Sequence, residues 1–335
     1  MPSSASRAPV GSSTASGRRS TAEGGADLVL LGAISIWSLN FTVMKVGIAE
    51  ISPVAFPVFR FGIGALVMAY VVRRREGGLG FQRRDALLFL VTAVLGITLN
   101  QLCVVYALKL TTAANVALLS ATQPIFTAVI ATIVGDELLG RRHWLSVGLG
   151  LAGVALVVEG GATGQTVGEP GPGGLPLGEL LALGVSLTAA ASAVTIRRLL
   201  GRYSPYRILA LQMIIGTAFL LPVAAPSLAS EDYATVSPVG WGALAYSAVL
   251  AGIVTNLLYF TGIGRVGASR AAVYQYLQSF LGVLLAVLLL REPLATLQVV
   301  GGLVVVASVV LSRQDPRDLA RRLAARRSAR TGRKT

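Results

Sequence analysis

Ten apolar stretches, each close to the length that crosses a bilayer, run through most of this chain. They lie near residues 27–48, 53–73, 85–107, 112–134, 143–159, 178–199, 205–224, 240–263, 268–290 and 295–312. A transmembrane helix needs roughly 20 mostly apolar residues, because the hydrocarbon offers no partner for backbone N–H and C=O groups. Numbered as spans 1 to 10, these stretches predict an all-α integral membrane protein with ten transmembrane helices. Composition agrees: 54% of the 335 residues are hydrophobic and only 13% charged, too few charges to coat a soluble globule of this size.

The formal net charge of +14 could point to nucleic acid or to membrane topology, and the positions of the basic residues separate the two. With a cytoplasmic amino terminus, all but four of the 29 Lys and Arg fall on the inner side, in both tails and the inner loops. The exceptions are Lys109 and Arg291 on the outer side, and Lys45 and Arg60 within spans. The outer segments 159–178 and 225–239 contain acids but no Lys or Arg. The charge therefore reads as the positive-inside rule rather than as a nucleic-acid surface, and no nucleic acid is expected as a partner. The predicted location is the cell (cytoplasmic) membrane, multi-pass, with both termini cytoplasmic. Residues 1–26, rich in Ser, Ala and Gly, read as a disordered cytoplasmic tail before an uncleaved first span. The basic tail 313–335 could rest on anionic inner-leaflet lipid, or serve as a disordered segment that enforces topology. The single Cys103 allows no internal disulfide.

A duplication runs through the chain. QPIFTAVIATIVGDE at 123–137 repeats its layout in QSFLGVLLAVLLLRE at 278–292, a shift of 155, and Gly32 and Lys45 align with Gly184 and Arg197 at 152. Each copy, 27–158 and 179–312, holds five spans, and an odd number makes the second copy enter from the opposite side. Between them, the Gly/Pro-rich segment 159–178 cannot sustain a helix and reads as an outer linker. Inverted repeats of this kind let two related packings open one central site to either face in turn.

The residues IWSLNFTVMKVGIAEISPVAFPVFRFGIGAL (36–66) and ANVALLSATQPIFTAVIATIVGDELL in the first copy, with QYLQSFLGVLLAVLLLREPLATLQVVGGL in the second, resemble the drug/metabolite transporter superfamily, EamA type. The resemblance covers nearly all of 27–312. It implies ten helices in two inverted five-helix repeats, a central cavity, and export or uptake of small metabolites such as amino acids. Ser279 stands where the second repeat of that family often has Pro, as Pro124 does in the first. Ala189 and Ser192 stand opposite Trp37 and Asn40, so the substrate site need not be symmetrical.

Intramembrane cations are costly, about 2.5–3.5 kcal/mol at mid-bilayer on lenient scales, and so draw a functional reading. Arg60 and Lys45 could hold a substrate carboxylate or phosphate; alternatively Lys45 snorkels to the outer interface and Arg60 bonds helix-end carbonyls. On span 1, Ser38, Thr42 and Lys45 share one face, and Trp37, Asn40 and Met44 form the adjoining stripe. Span 4 carries Ser120, Gln123 and Thr127 on one face; the aligned positions of span 9 are Gln275, Gln278 and Gly282, with Tyr274 on the same side as Gln278. Gln101 and Tyr106 on span 3 complete the candidate substrate-binding set of Trp37, Asn40, Lys45, Arg60, Gln101, Tyr106, Gln123, Tyr274 and Gln278, beside Asn100 and Asn256. Each of the polar stripes reads equally as interhelical packing.

Asp27, Glu50, Asp85, Asp136, Glu137, Glu159, Glu179 and Glu292 all fall at or beyond span ends, where water is expected to reach them. Without a mid-membrane carboxylate, the sequence favours facilitated movement of an amphipathic or anionic metabolite, or coupling through an end acid, over a proton-coupled cation exporter of drugs. Glu137 and Glu292 read as end anchors that pair with a nearby Arg. One loop residue His143, one apolar Cys and no buried acid/base pair supply no catalytic set, so an enzyme is not expected, nor is a cofactor or metal. The expected function is a permease that exports a small metabolite by alternating access of its halves. A non-transporting scaffold or receptor is the other reading, and the sequence admits a homodimer.

Overall fold

The computed structural model describes residues 14–134, 141–163, 177–266 and 268–313, and no strand occurs among them. The linker core at 164–176, residues 135–140 with Asp136 and Glu137, and the tails 1–13 and 314–335 lie outside the described residues.

Each predicted span is occupied by helix. Spans 1 and 2 are α1 (Thr14–Glu50) and α2 (Ala55–Glu76). Span 3 combines α3 (Ala86–Ala93), a π-helical segment (Val94–Leu99) and α4 (Asn100–Leu110). Span 4 is broken into α5 (Ala113–Ser120) and α6 (Gln123–Ile133), and span 5 is α7 (Arg141–Thr163). In the second copy, spans 6 and 7 are α8 (Leu177–Leu200) and α9 (Pro205–Ser230). Span 8 combines α10 (Pro238–Ala245), a second π-helical segment (Tyr246–Val254) and α11 (Thr255–Val266). Spans 9 and 10 are α12 (Ala268–Leu290) and α13 (Thr296–Arg313). Six helical stretches are long and apolar enough to cross a membrane, and shorter apolar helices lie at Gly148–Val157, Leu277–Leu290 and Thr296–Ser308. Large apolar side chains such as Leu66, Leu87, Ile133 and Phe280 are exposed, as suits a surface facing lipid.

Local signals explain several ends. α2 stops at Gly77, whose φ of 76° is a left-handed conformation without cost to glycine, and Arg73, Arg74 and Arg75 in its last turn oppose the helix dipole. Ser204 caps α9 and Ser237 caps α10, each followed by Pro at the first helical position. The break in span 4 falls just before Gln123-Pro124: Pro124 has no N–H to donate to the Ser120 carbonyl four residues back, and its ring crowds that carbonyl.

The main helix partnerships cross between the copies. α2 packs along α9, α1 along α12 and α11, α4 along α8, α5 along α12, and α7 along α13. α7 and α13 meet backbone to backbone: a Cβ at Gly301 would lie 2.6 Å from the Gly153 carbonyl oxygen, and one at Gly153 would lie 2.8 Å from that of Gly301.

The inverted duplication is visible as paired clasps, one at each end of the bundle. At one end, Glu50 accepts hydrogen bonds from the Ser237 backbone N–H at 2.7 Å and hydroxyl at 2.9 Å, and Glu231 accepts from Ser52 N–H at 2.5 Å. At the other, Arg202 pairs with Asp85, which also accepts from Tyr203 OH at 2.7 Å; Glu76 takes the Ser204 hydroxyl and Arg207 Nε at 3.0 Å. Arg202, Ser204 and Ser237 stand 152 residues beyond Glu50, Ser52 and Asp85, and Glu231 stands 155 beyond Glu76. These clasps overturn part of the expectation for the acids. Asp85 is 1% exposed, because the guanidinium and phenol from the other copy replace the water it would otherwise need.

Candidate functional site

Arg60 lies one and a half turns into α2 and is 5% exposed. Its Nε donates to the Ser247 carbonyl at 3.0 Å, and Nη1 donates to Gln101 Oε1 at 3.1 Å beside Met44 Sδ at 3.2 Å. The guanidinium carbon stands 4.8 Å from the Phe61 ring centre. Ser247 belongs to the second π-helical segment, where the widened turn disturbs the regular backbone ladder and leaves carbonyls for side chains. The Ser247 hydroxyl donates to Asn40 Oδ1 at 2.8 Å. From Gln101 the chain of bonds continues to Asn100 Oδ1 at 3.2 Å, and Asn100 Nδ2 donates to the Val185 carbonyl and Thr188 Oγ1, both at 3.0 Å.

This polar belt runs from α1 through span 8 and α2 to α4 and α8, crossing between the two copies. Among the described residues, every group bonded to the guanidinium is neutral, so Arg60 is a buried cation without a carboxylate among these partners. A positive charge held by neutral dipoles keeps much of its attraction for an anion, since charge remains uncompensated in a poorly screened setting.

Three sequence candidates, Asn40, Arg60 and Gln101, are thus brought together. Trp37 is adjacent: its Nε1 donates to the Ala251 carbonyl of the same π-helical segment at 3.0 Å, and its ring lies 5.1 Å from that of Tyr259. On the same helix Thr42 Oγ1 is buried and has no hydrogen-bond partner among the described residues. Tyr106 stands on an exposed stripe of span 3 with Leu99 and Lys109 and does not join the belt. Gln123 opens α6 and is half-buried; its carbonyl accepts from Thr127 Oγ1 at 2.9 Å. Gln278 is half-buried on α12, and its carbonyl accepts from Ser38 Oγ at 3.1 Å, which places it against α1. The side chain of Tyr274 lies outside the described residues.

Lys45 is elsewhere. Its Nζ is 2.7 Å from Glu292 Oε1 and donates to the Thr111 carbonyl at 3.1 Å. Glu292 also accepts from the first two backbone N–H groups of α5, Ala113 at 3.0 Å and Ala114 at 2.9 Å. Next to it, Glu179 accepts from Thr111 Oγ1 at 2.6 Å and Asn115 Nδ2 at 2.9 Å, and Gln298 Nε2 donates to Asn115 Oδ1 at 2.5 Å. Glu179 is 1% and Glu292 9% exposed, so neither is the water-reached end residue that sequence position suggested. Helix N–H groups and an ammonium satisfy Glu292 in place of water, and its cationic partner is Lys45 rather than an Arg.

Sequence reasoning missed the second half of the belt's symmetry. Gln212 Nε2 donates to the Thr92 carbonyl at 3.1 Å and to Ser192 Oγ at 3.2 Å, and Ser192 Oγ donates to the same carbonyl at 3.2 Å. Gln212 and Ser192 stand 152 residues beyond Arg60 and Asn40, as Tyr246, the first residue of one π-helical segment, stands 152 beyond Val94, the first of the other. The same helix junction is built twice, charged in one copy and neutral in the other. The shift that aligned Lys45 with Arg197 was the signal that could have found it.

Comparison with known proteins agrees with this architecture. The model of the EamA-like transporter family matches residues 24–159 and 176–314, one match on each copy. An uncharacterized transporter of Archaeoglobus fulgidus is 28% identical over 85% of this chain and 96% of its own length. YyaM, an uncharacterized transporter of Bacillus subtilis, is 26% identical over 84% and 92%. A probable amino-acid metabolite efflux pump of Salmonella typhimurium is 25% identical over 83% and 91%. A solved crystal structure, 19% identical, superposes with a TM-score of 0.60 over 87% of this chain and 98% of its own, and so shares the fold. With both of its five-span copies matched, the chain belongs to the EamA-like transporter family and is a multi-pass membrane protein.

Proposed function

We propose that this transporter exports a small amphipathic metabolite bearing a carboxylate, of the amino-acid class, by alternating access of its two inverted halves. The observation that carries the reading is the buried Arg60 guanidinium, bonded to neutral groups at the point where α1, α2, α4 and span 8 meet. A carboxylate that docks on Arg60 gains a charge-assisted bond no resident carboxylate of the belt supplies. The Asn40 and Gln101 amides and the Trp37 ring stand close enough to orient the remainder. Cationic drugs would meet a like charge, which argues against the multidrug alternative. Among the relatives, those named as probable amino-acid metabolite efflux pumps support the substrate class. The distribution of Lys and Arg supports an outward orientation for the Glu50 end of the bundle, with both termini cytoplasmic.

Counterflow of labelled amino acids in proteoliposomes tests the proposal. The wild-type protein is expected to exchange at least one carboxylate-bearing substrate. Arg60→Gln should abolish that exchange, and Arg60→Lys should retain part of it, since an ammonium keeps the charge without the planar fork. Undiminished exchange by a folded Arg60→Gln protein would remove Arg60 from the site.

A further inference from the structure

The two clasps, Glu50 and Ser52 with Ser237 and Glu231, and Glu76 and Asp85 with Ser204, Arg207 and Arg202, are closed together, one at each end of the bundle. Between them α2 lies along α9. This side of the molecule is therefore tied at both ends and acts as a spine, so a path to the belt has to open on another side.

On that other side α12 lies against α1 and α5. A Cβ at Gly282 would sit 2.9 Å from Ala117 Cβ and 3.6 Å from Phe41. At the end of α12 the backbone departs from ordinary geometry: Arg291 has φ 53°, left-handed for a residue with a side chain. That conformation costs about 1–2 kcal/mol and persists only where neighbouring contacts hold it. What it achieves is the aim of Glu292, which turns inward and bonds Lys45 of α1 and the two leading N–H groups of α5 at once. One carboxylate from the second copy thus ties two elements of the first. Because its bonds share one residue, a single retreat of that carboxylate releases both elements at once.

We propose that Lys45, Glu292 and the first turn of α5 form the outer gate of the transport path, a latch that holds α12 against α1 and α5 and opens by swinging away from the α2/α9 spine. The outward sense rests on the orientation proposed above; the latch does not depend on the substrate assigned to Arg60.

The test needs no substrate. In a Cys103→Ala background, Ala117→Cys places a thiol at a fully buried position against Gly282, and right-side-out membrane vesicles are treated with a membrane-impermeant maleimide. Labelling is expected to be slow with the latch intact and about tenfold faster in Lys45→Gln, which removes the ion pair but leaves the α5 cap. Glu292→Ala, which removes both, should label faster still. Thermal unfolding shows that each variant remains folded. Labelling unchanged in both folded variants would overturn the gate, and so would faster labelling confined to inside-out vesicles. A gate that behaves as expected beside an Arg60→Gln protein that still transports would refute the substrate reading alone.

Discussion

At the residue scale, the two intramembrane cations have different fates. Lys45 has an acid partner and Arg60 has neutral ones. Their presence was legible in the sequence, because a cation in an apolar stretch stands out. Their partners were not, because carbonyls look alike in every span and a π-helical turn that frees one leaves no composition signal. The Lys45–Glu292 pair was closer to reach, since topology alone put both at the same end. Asn100 is the residue whose role the belt now defines: it accepts from Gln101 and anchors on Val185 and Thr188, and so fixes the amide that meets Arg60. Asn100→Ala is expected to raise KM several-fold with a smaller effect on kcat, because it acts through Gln101. Transport kinetics at varied substrate concentration check this, and an equal fall in kcat with KM unchanged would count against it.

At the scale of elements, the spans were legible and their interruptions were not. Hydropathy marks where a helix must cross, but the widened turns at Val94–Leu99 and Tyr246–Val254 are set by what packs against them. Gly96 shows this. A Cβ there would run into Ser192 Oγ and Gln212 Nε2, so glycine lets the second copy reach the carbonyl of Thr92. Gly96→Ala should destabilise the protein by about 1–3 kcal/mol through overpacking, visible as a lower unfolding temperature in detergent; an unchanged Tm would show that the neighbouring side chains yield freely. The buried acids teach a related lesson. Asp85, Glu179 and Glu292 sit at span ends, which suggested water, yet their partners come from elements far away in sequence.

At the scale of the whole molecule, the inverted duplication was readable as a shift of 152–155 residues, and the paired clasps give it physical form. The orientation proposed from the basic residues has a direct check. In the Cys103→Ala background, Gly78→Cys, beside the Glu76 clasp, should react with an impermeant maleimide only in inside-out vesicles. Ser230→Cys, beside the Glu231 clasp, should react only in right-side-out ones. The opposite pattern would reverse the proposed topology.

The replacement of Arg60 by Gln212 at the equivalent place of the second copy has a thermodynamic corollary. A carrier with two identical halves would present equal wells to solute arriving from either compartment. With guanidinium on one side of the pseudo-dyad and a carboxamide on the other, the wells are unequal for an anionic solute, so half-saturation should differ between the two compartments. Absent coupling to an energy source, the maximal velocities must differ in the same proportion, because unequal affinity shifts populations without driving net accumulation. Zero-trans measurements in both directions would then yield distinct half-saturation constants with a common ratio of velocity to half-saturation.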